Sequence, residues 1–206
     1  PLIMLLSTST ALTTSAQAYR VLRRFMIHLN LGVTVIALAI AFIDPVFDLL
    51  LRSWMGIPDV VAGPTQTGMQ IMSFWSAAIG WRRFNQGILI RFGNIKRMSF
   101  GSILRLISDV LSVLILMRVD GRSGLLIVTT AQGFSVFLES VFIGIVTRPI
   151  IKKNLKPTKS GEIISWKAFI KYYTPLMLNS ILMIIFGPMY SSALSRMPEA
   201  LSSLAT

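Results

Sequence analysis

Long apolar stretches alternate with short polar joints along this chain. Each stretch is of the order of 20 residues, enough for a helix to cross about 30 Å of hydrocarbon. The pattern predicts six spans, over residues 1–19, 25–51, 66–91, 99–117, 124–147 and 167–190. The runs are too long for barrel strands and lack two-residue alternation, so an all-α, polytopic membrane helix bundle is expected.

The joints carry their own signals. Asp44-Pro45 interrupts the second span, where the missing proline N–H should kink or end the helix. Met55-Gly56-Ile57-Pro58-Asp59 is a turn cluster, and Gly63-Pro64 is expected to precede the third span. Val119-Asp120-Gly121-Arg122-Ser123-Gly124 reads as a short Asp-Gly turn. Thr147 to Ser165 is the one real linker, with Pro149, Pro157, Gly161 and several lysines. The expected organisation is five spans within 1–148, a basic linker at 149–165, and one further span within 166–206.

Charge gives this pattern a direction. Arg20, Arg23 and Arg24 mark the first joint. Arg91, Lys96, Arg97 and Arg105 mark the third, and Arg148, Lys152, Lys153, Lys156, Lys159, Lys167 and Lys171 the fifth. The alternate joints hold only Arg52, then Arg118 and Arg122, then Arg196. Cytoplasmic loops retain positive excess, so the richly basic joints are expected inside and the sparse ones outside. A multi-pass protein of the cell membrane is the expectation.

Composition supports the same class. Mean hydropathy is +0.69, and 14% of residues are charged, against about 25% in soluble domains. The net charge of +12 is confined to joints and calls for anionic headgroups rather than nucleic acid. With no cysteine and one histidine, thiol chemistry, thiolate zinc and a multi-histidine metal site are excluded. No cofactor is expected. No Walker-type loop is present, so any energy source is a gradient or another protein.

Polar residues inside the spans are the candidate chemistry. Trp81-Arg82-Arg83-Phe84-Asn85-Gln86-Gly87 lies in the third span, with both arginines roughly 12–14 Å before Arg91 along a helix. An arginine at such depth costs at least about 2.5–3.5 kcal/mol on insertion scales, so it needs a partner or a wet cavity. Arg82, Arg83, Asn85 and Gln86 are the candidate anion-binding wall, because a guanidinium fork fits phosphate or carboxylate. The alternative is a structural pair with an acid of a neighbouring helix. Asp109 and Glu139 are the deep acids and the candidate counter-ions or coupling groups. Arg105 and Asp109, four apart, read either as a local pair with Arg105 near the cytoplasmic interface, or with Asp109 as a cavity carboxylate that titrates or pairs with Arg82 or Arg83.

The turn Met55–Asp59, the returning segment Gln86-Gly87-Ile88-Leu89-Ile90-Arg91-Phe92-Gly93 and the segment Tyr172-Tyr173-Thr174-Pro175-Leu176, followed by Ser191-Ser192-Ala193-Leu194, carry a resemblance. The chain resembles the multidrug/oligosaccharidyl-lipid/polysaccharide exporter superfamily, including its MATE-type and flippase branches. The arginine pair and Glu139 are similar to the progressive ankylosis branch, whose members export small anions. The resemblance implies that the first five spans are helices two to six of a first six-helix half, and that the sixth opens the second half. Most of helix one and the rest of the second half would then lie outside this fragment. It implies alternating access between two bundles.

The expected function is therefore a non-enzymatic secondary transporter or flippase. Its expected partners are membrane lipid, a small anionic or lipid-linked substrate, and a coupling ion such as H+ or Na+. The alternatives are a cation-coupled multidrug exporter, a non-transporting assembly subunit and an intramembrane lipid enzyme. The last needs catalytic groups that one histidine and scattered acids do not supply.

Overall fold

A computed structural model describes residues 2–54, 59–118, 124–155, 170–182 and 186. The turn residues 55–58 and 119–123, most of the linker, much of the sixth span, including Gly187-Pro188, and the following Ser191–Leu194 lie outside the described residues. The chain divides into two units, Leu2–Ile164 and Ser165–Thr206. The described residues form helices and turns, with no strand among them.

In the first unit, a 3-10 turn, Leu2–Met4, leads into α1 (Leu5–Leu12) and α2 (Ala16–Phe42). A short α3 (Asp44–Phe47) runs into a π-helical stretch, Asp48–Trp54. Then come α4 (Asp59–Ile71), α5 (Trp75–Arg91), α6 (Ile95–Leu116) and α7 (Gly124–Asn154). In the second unit, residues 170–182 form a helix, and the Thr174 hydroxyl bonds back to Ile170 O at 2.7 Å, one residue before Pro175.

Three helices, α2, α6 and α7, are long and apolar enough to cross a membrane, with mean hydropathies of 2.1, 1.8 and 1.7. Their outward faces are apolar. Leu31, Val35 and Ile36 on α2, Ile107, Val110, Leu111 and Leu114 on α6, and Phe134, Phe137 and Val141 on α7 are all exposed. Buried positions meanwhile include Thr8, Ser9, Arg82, Asn85, Gln86, Ser135, Glu139 and Thr147. Water as the outer solvent would reverse that distribution, whereas lipid favours it.

Helix boundaries depart from the hydropathy pattern at three places. The first basic joint is not a loop: Arg20, Arg23 and Arg24 lie inside α2. The break falls earlier, at Thr13–Ser15, where the Ser15 side chain caps α2 by accepting from Ala18 N at 3.1 Å. Arginine is a good helix former with a long stem, so it extends a helix past its apolar part, while serine stabilises the start. The stretch read as the first span is correspondingly short, with α1 only eight residues long.

The third expected span is broken in two. A turn at residues 72–74 separates α4 from α5, and the Ser73 hydroxyl bonds to Gln70 O at 2.8 Å. Serine competing for backbone carbonyls in this way favours turns over helix. Gly63 and Pro64 sit within α4 rather than before it. Finally, α7 runs on through Pro149 to Asn154, past the expected end at Thr147.

The Asp44-Pro45 break is present. Ile43 is extended (φ −102°, ψ 100°) and Pro45 lies in the first turn of α3. Proline has no N–H to give to the carbonyl four residues back. That carbonyl, Ala41 O, instead receives Gln70 Nε2 from α4 at 3.1 Å. Gln66 Nε2 reaches Asp44 Oδ1 at 2.8 Å, one turn earlier on α4. Asn30 Nδ2 donates to Ala77 O at 2.8 Å, and Tyr19 stacks at a tilt on Phe84 with centroids 6.0 Å apart. These contacts pair rising numbers in α4 and α5 with falling ones in α2, so the broken pair returns antiparallel along α2.

A Schellman turn ends α5. Asn94 N bonds to Leu89 O at 2.8 Å and Gly93 N to Ile90 O at 3.0 Å, with Gly93 at φ +68°. That left-handed position suits glycine, and it turns the chain into α6. Along α6 and α7, Gly101 meets Ile143 while Asp109 meets Ser135, an antiparallel register, and Phe100 stacks on Phe142 at 5.5 Å.

Candidate functional site

Glu139 is the centre around which α5, α6 and α7 converge. It is fully buried, and it lies on the small-residue face of α7 that also buries Ala131, Ser135, Ser140, Gly144 and Thr147. Glycines on either side let the helices close in. A β-carbon on Gly144 would stand 2.6 Å from Trp81 Nε1, and one on Gly101 would stand 2.7 Å from Ile143 Cδ1. Small residues at such crossings are how membrane helices approach closely.

Three hydrogen-bond donors and a further guanidinium meet the Glu139 carboxylate. Arg82 Nη1 on α5 forms an ion pair with Oε2. Gln86, one turn on, donates Nε2 to Oε1 at 3.1 Å. From α6, Ser102 Oγ donates to Oε1 at 3.5 Å, and Arg105 Nε stands 3.4 Å from Oε2. The Arg105 approach is an ion pair without good hydrogen-bond alignment, since the same Nε makes no hydrogen bond. The spacing explains the convergence: positions 82 and 86 share one face of α5, and positions 102 and 105 share one face of α6.

Arg83 points elsewhere, as a neighbour about 100° round the helix must. Its Nη1 reaches Gln86 Oε1 at 3.5 Å. Gln86 therefore bridges the Arg83 guanidinium to the Glu139 carboxylate. Arg83 is half-buried and within electrostatic range of Arg82, Glu139 and Arg105.

The remaining expected residues fall outside this cluster. Asn85 is buried, and its amide donates to Trp81 O at 2.8 Å on its own helix, with no bond to Glu139. Asp109 does not pair with Arg82 or Arg83 among the described ion pairs, nor with Arg105 four residues back. It accepts instead from Ser135 Oγ on α7 at 3.2 Å. Arg105, read from sequence as an interfacial partner of Asp109, turns to Glu139 instead. The reason is geometric: α7 presents Ser135 and Glu139 one turn apart, so Asp109 and Arg105 each meet a partner across the seam. Ser102-x-x-Arg105-x-x-x-Asp109 is a one-face spacing in the sequence that could have flagged both α6 residues.

The charge balance is unequal. Arg82 and Arg105 pair with Glu139 and Arg83 adjoins it through Gln86, so three guanidiniums stand around one carboxylate. The Nε of each is buried and has no hydrogen-bond partner among the described residues. Among the described residues no three His, Cys, Asp or Glu side chains gather as a metal site.

Fold and site together define an all-helical membrane protein with a buried, arginine-rich polar centre. Compared with family models, curated proteins and solved structures, the chain matches none of them.

Proposed function

We propose that the chain is part of a secondary transporter or flippase that moves an anionic or phosphate-bearing substrate by alternating access. The observation that carries this reading is the three-to-one ratio of guanidinium to carboxylate at a buried centre of lipid-facing helices. A purely structural pair needs one arginine for Glu139, and each further charge at this depth is costly without a function to retain it. The break between α4 and α5 supports the same reading, since interrupted helices accompany substrate sites in transporters. The resemblance to the multidrug/oligosaccharidyl-lipid/polysaccharide exporters adds a scheme in which this unit is most of one half. A cation-coupled drug exporter would need carboxylates to dominate the centre, and the charge ratio runs the other way.

The test is transport by the full-length protein in proteoliposomes. Arg82→Gln and Arg83→Gln should each lower uptake of an anionic substrate at unchanged insertion. Lysine at either position should restore part of it, keeping charge but losing the bidentate fork. Parental rates in both Gln variants would refute the reading.

A further inference from the structure

The same centre specifies the charge of what it binds. Arg82, Arg83 and Arg105 bring three positive charges against the single charge of Glu139. Gln86 and Ser102 are neutral donors to that carboxylate. Asp109 is the nearest other acid named at the seam, and it is engaged one turn away by Ser135. The excess is therefore two.

The donors available to a ligand are also placed. Glu139 is enclosed by Arg82, Gln86, Ser102 and Arg105 and is fully buried, so it holds its partners rather than meeting a ligand. Arg83 is half-buried, and the Arg105 side chain is 31% exposed. These two are the approachable guanidiniums. The Nε groups of Arg82 and Arg83 are buried and make no hydrogen bond among the described residues, while Arg105 Nε faces Glu139. Guanidinium forks match tetrahedral oxyanions bidentately.

Resting on the transporter reading for its context, we propose that this centre binds a tetrahedral oxyanion carrying two negative charges, a phosphate-type group, and that Glu139 is the positioning residue that sets the charge count at two. A dianion brings the cluster to neutrality, which a low-dielectric interior favours strongly over a residual charge. A monoanion of the same shape leaves one positive charge uncompensated. The dianion belongs either to a free oxyanion or to a phosphomonoester headgroup, which share this chemistry.

Selectivity is the measurement that tests this. The full-length protein is placed in phosphatidylcholine nanodiscs and titrated calorimetrically with sulfate and with perchlorate. Both are tetrahedral and differ by one charge, and neither changes protonation near neutral pH. The parental protein should favour sulfate. Arg83→Gln and Arg105→Gln lower the excess to one, and each should cut the sulfate-to-perchlorate ratio about tenfold, the scale of one lost charge-assisted bond. Glu139→Gln raises the excess to three and should move the ratio the opposite way. If that variant does not insert, the two arginine variants carry the test alone, since neither removes the Arg82–Glu139 pair. Discs containing phosphatidic acid separate the sources. Loss of sulfate binding there assigns the dianion to a lipid headgroup, and unchanged binding assigns it to a free oxyanion. No sulfate binding by the parental protein, or a ratio that neither arginine variant changes, overturns the inference. Dianion selectivity in a protein that transports no anion would overturn the transporter reading and leave this inference standing.

Discussion

Gly87 of α5 lies against Ser9 of α1 so closely that a β-carbon on the glycine would fall 1.9 Å from the serine Oγ. The Leu6 carbonyl would be 2.3 Å from the same atom, and the Thr10 hydroxyl donates to Gly87 O at 3.1 Å. Four hydroxyl residues of α1, Ser7 to Thr10, make the short polar helix a close-packing partner for the buried helix next to it. This contact holds α5 in place at the residue next to Gln86.

Gly87→Ala should destabilise the protein by about 1–3 kcal/mol or more, the usual cost of overpacking, because the Leu6 backbone cannot swing aside as a side chain can. Gly32→Ala on α2 is the control, since a β-carbon there meets nothing within 4 Å. It should be neutral or stabilising by about 0.5–1 kcal/mol, the helix preference of alanine over glycine. Unfolding midpoints in detergent compare the two, and equal midpoints would show that the α1–α5 contact is absent.

Glu139→Ala should be the most damaging single change at the buried centre. Removing one member of a buried ion pair costs about 3–5 kcal/mol, because its partner's charge is left uncompensated. Here it strands Arg82 and also removes the partner of Arg105. Arg82→Met should cost less, since Glu139 keeps Gln86, Ser102 and Arg105. The double change to Ala and Met should recover part of the loss. Additive losses in denaturant titrations would count against the pair.

Arg105 should couple energetically to Glu139 and not to Asp109. A double-mutant cycle over Arg105→Gln and Glu139→Gln should show interaction energy of about 0.5 kcal/mol or more, as contacting charges do. The cycle over Arg105→Gln and Asp109→Asn should be near zero. Asp109→Asn alone should be mild, because an amide oxygen can still accept from Ser135 Oγ.

Topology is open to direct labelling because the chain has no cysteine. Lys152 and Lys153 occupy the last turn of α7 and are exposed, where cations complement the helix dipole. On the positive-inside pattern that end is expected in the cytoplasm. Lys153→Cys should resist an impermeant thiol reagent in intact cells and react after permeabilisation. Strong labelling from outside would invert the whole assignment.

Much of this organisation was legible in the residues. Apolar runs located α2, α6 and α7, because a helix in lipid must present apolar side chains over its whole length. Asp44-Pro45 marked a real break, because a missing N–H disrupts a helix whatever packs against it. The depth of Arg82 called for a buried partner or a wet cavity, and Glu139, which pairs with it, was one of the two carboxylates named as a candidate partner.

Tertiary packing decided the rest. Hydropathy could not separate α4 from α5, because a Ser-mediated turn between apolar residues leaves the average unchanged. It could not place the start of α2, because a cap depends on one hydroxyl rather than on a run of residues. The choice between Asp109 and Glu139 depended on the register of α6 against α7, fixed where Gly101 meets Ile143. Sequence spacing says which residues share a face of one helix. Only the crossing of two helices says which faces meet, and that crossing gave Arg105 to Glu139 and Asp109 to Ser135.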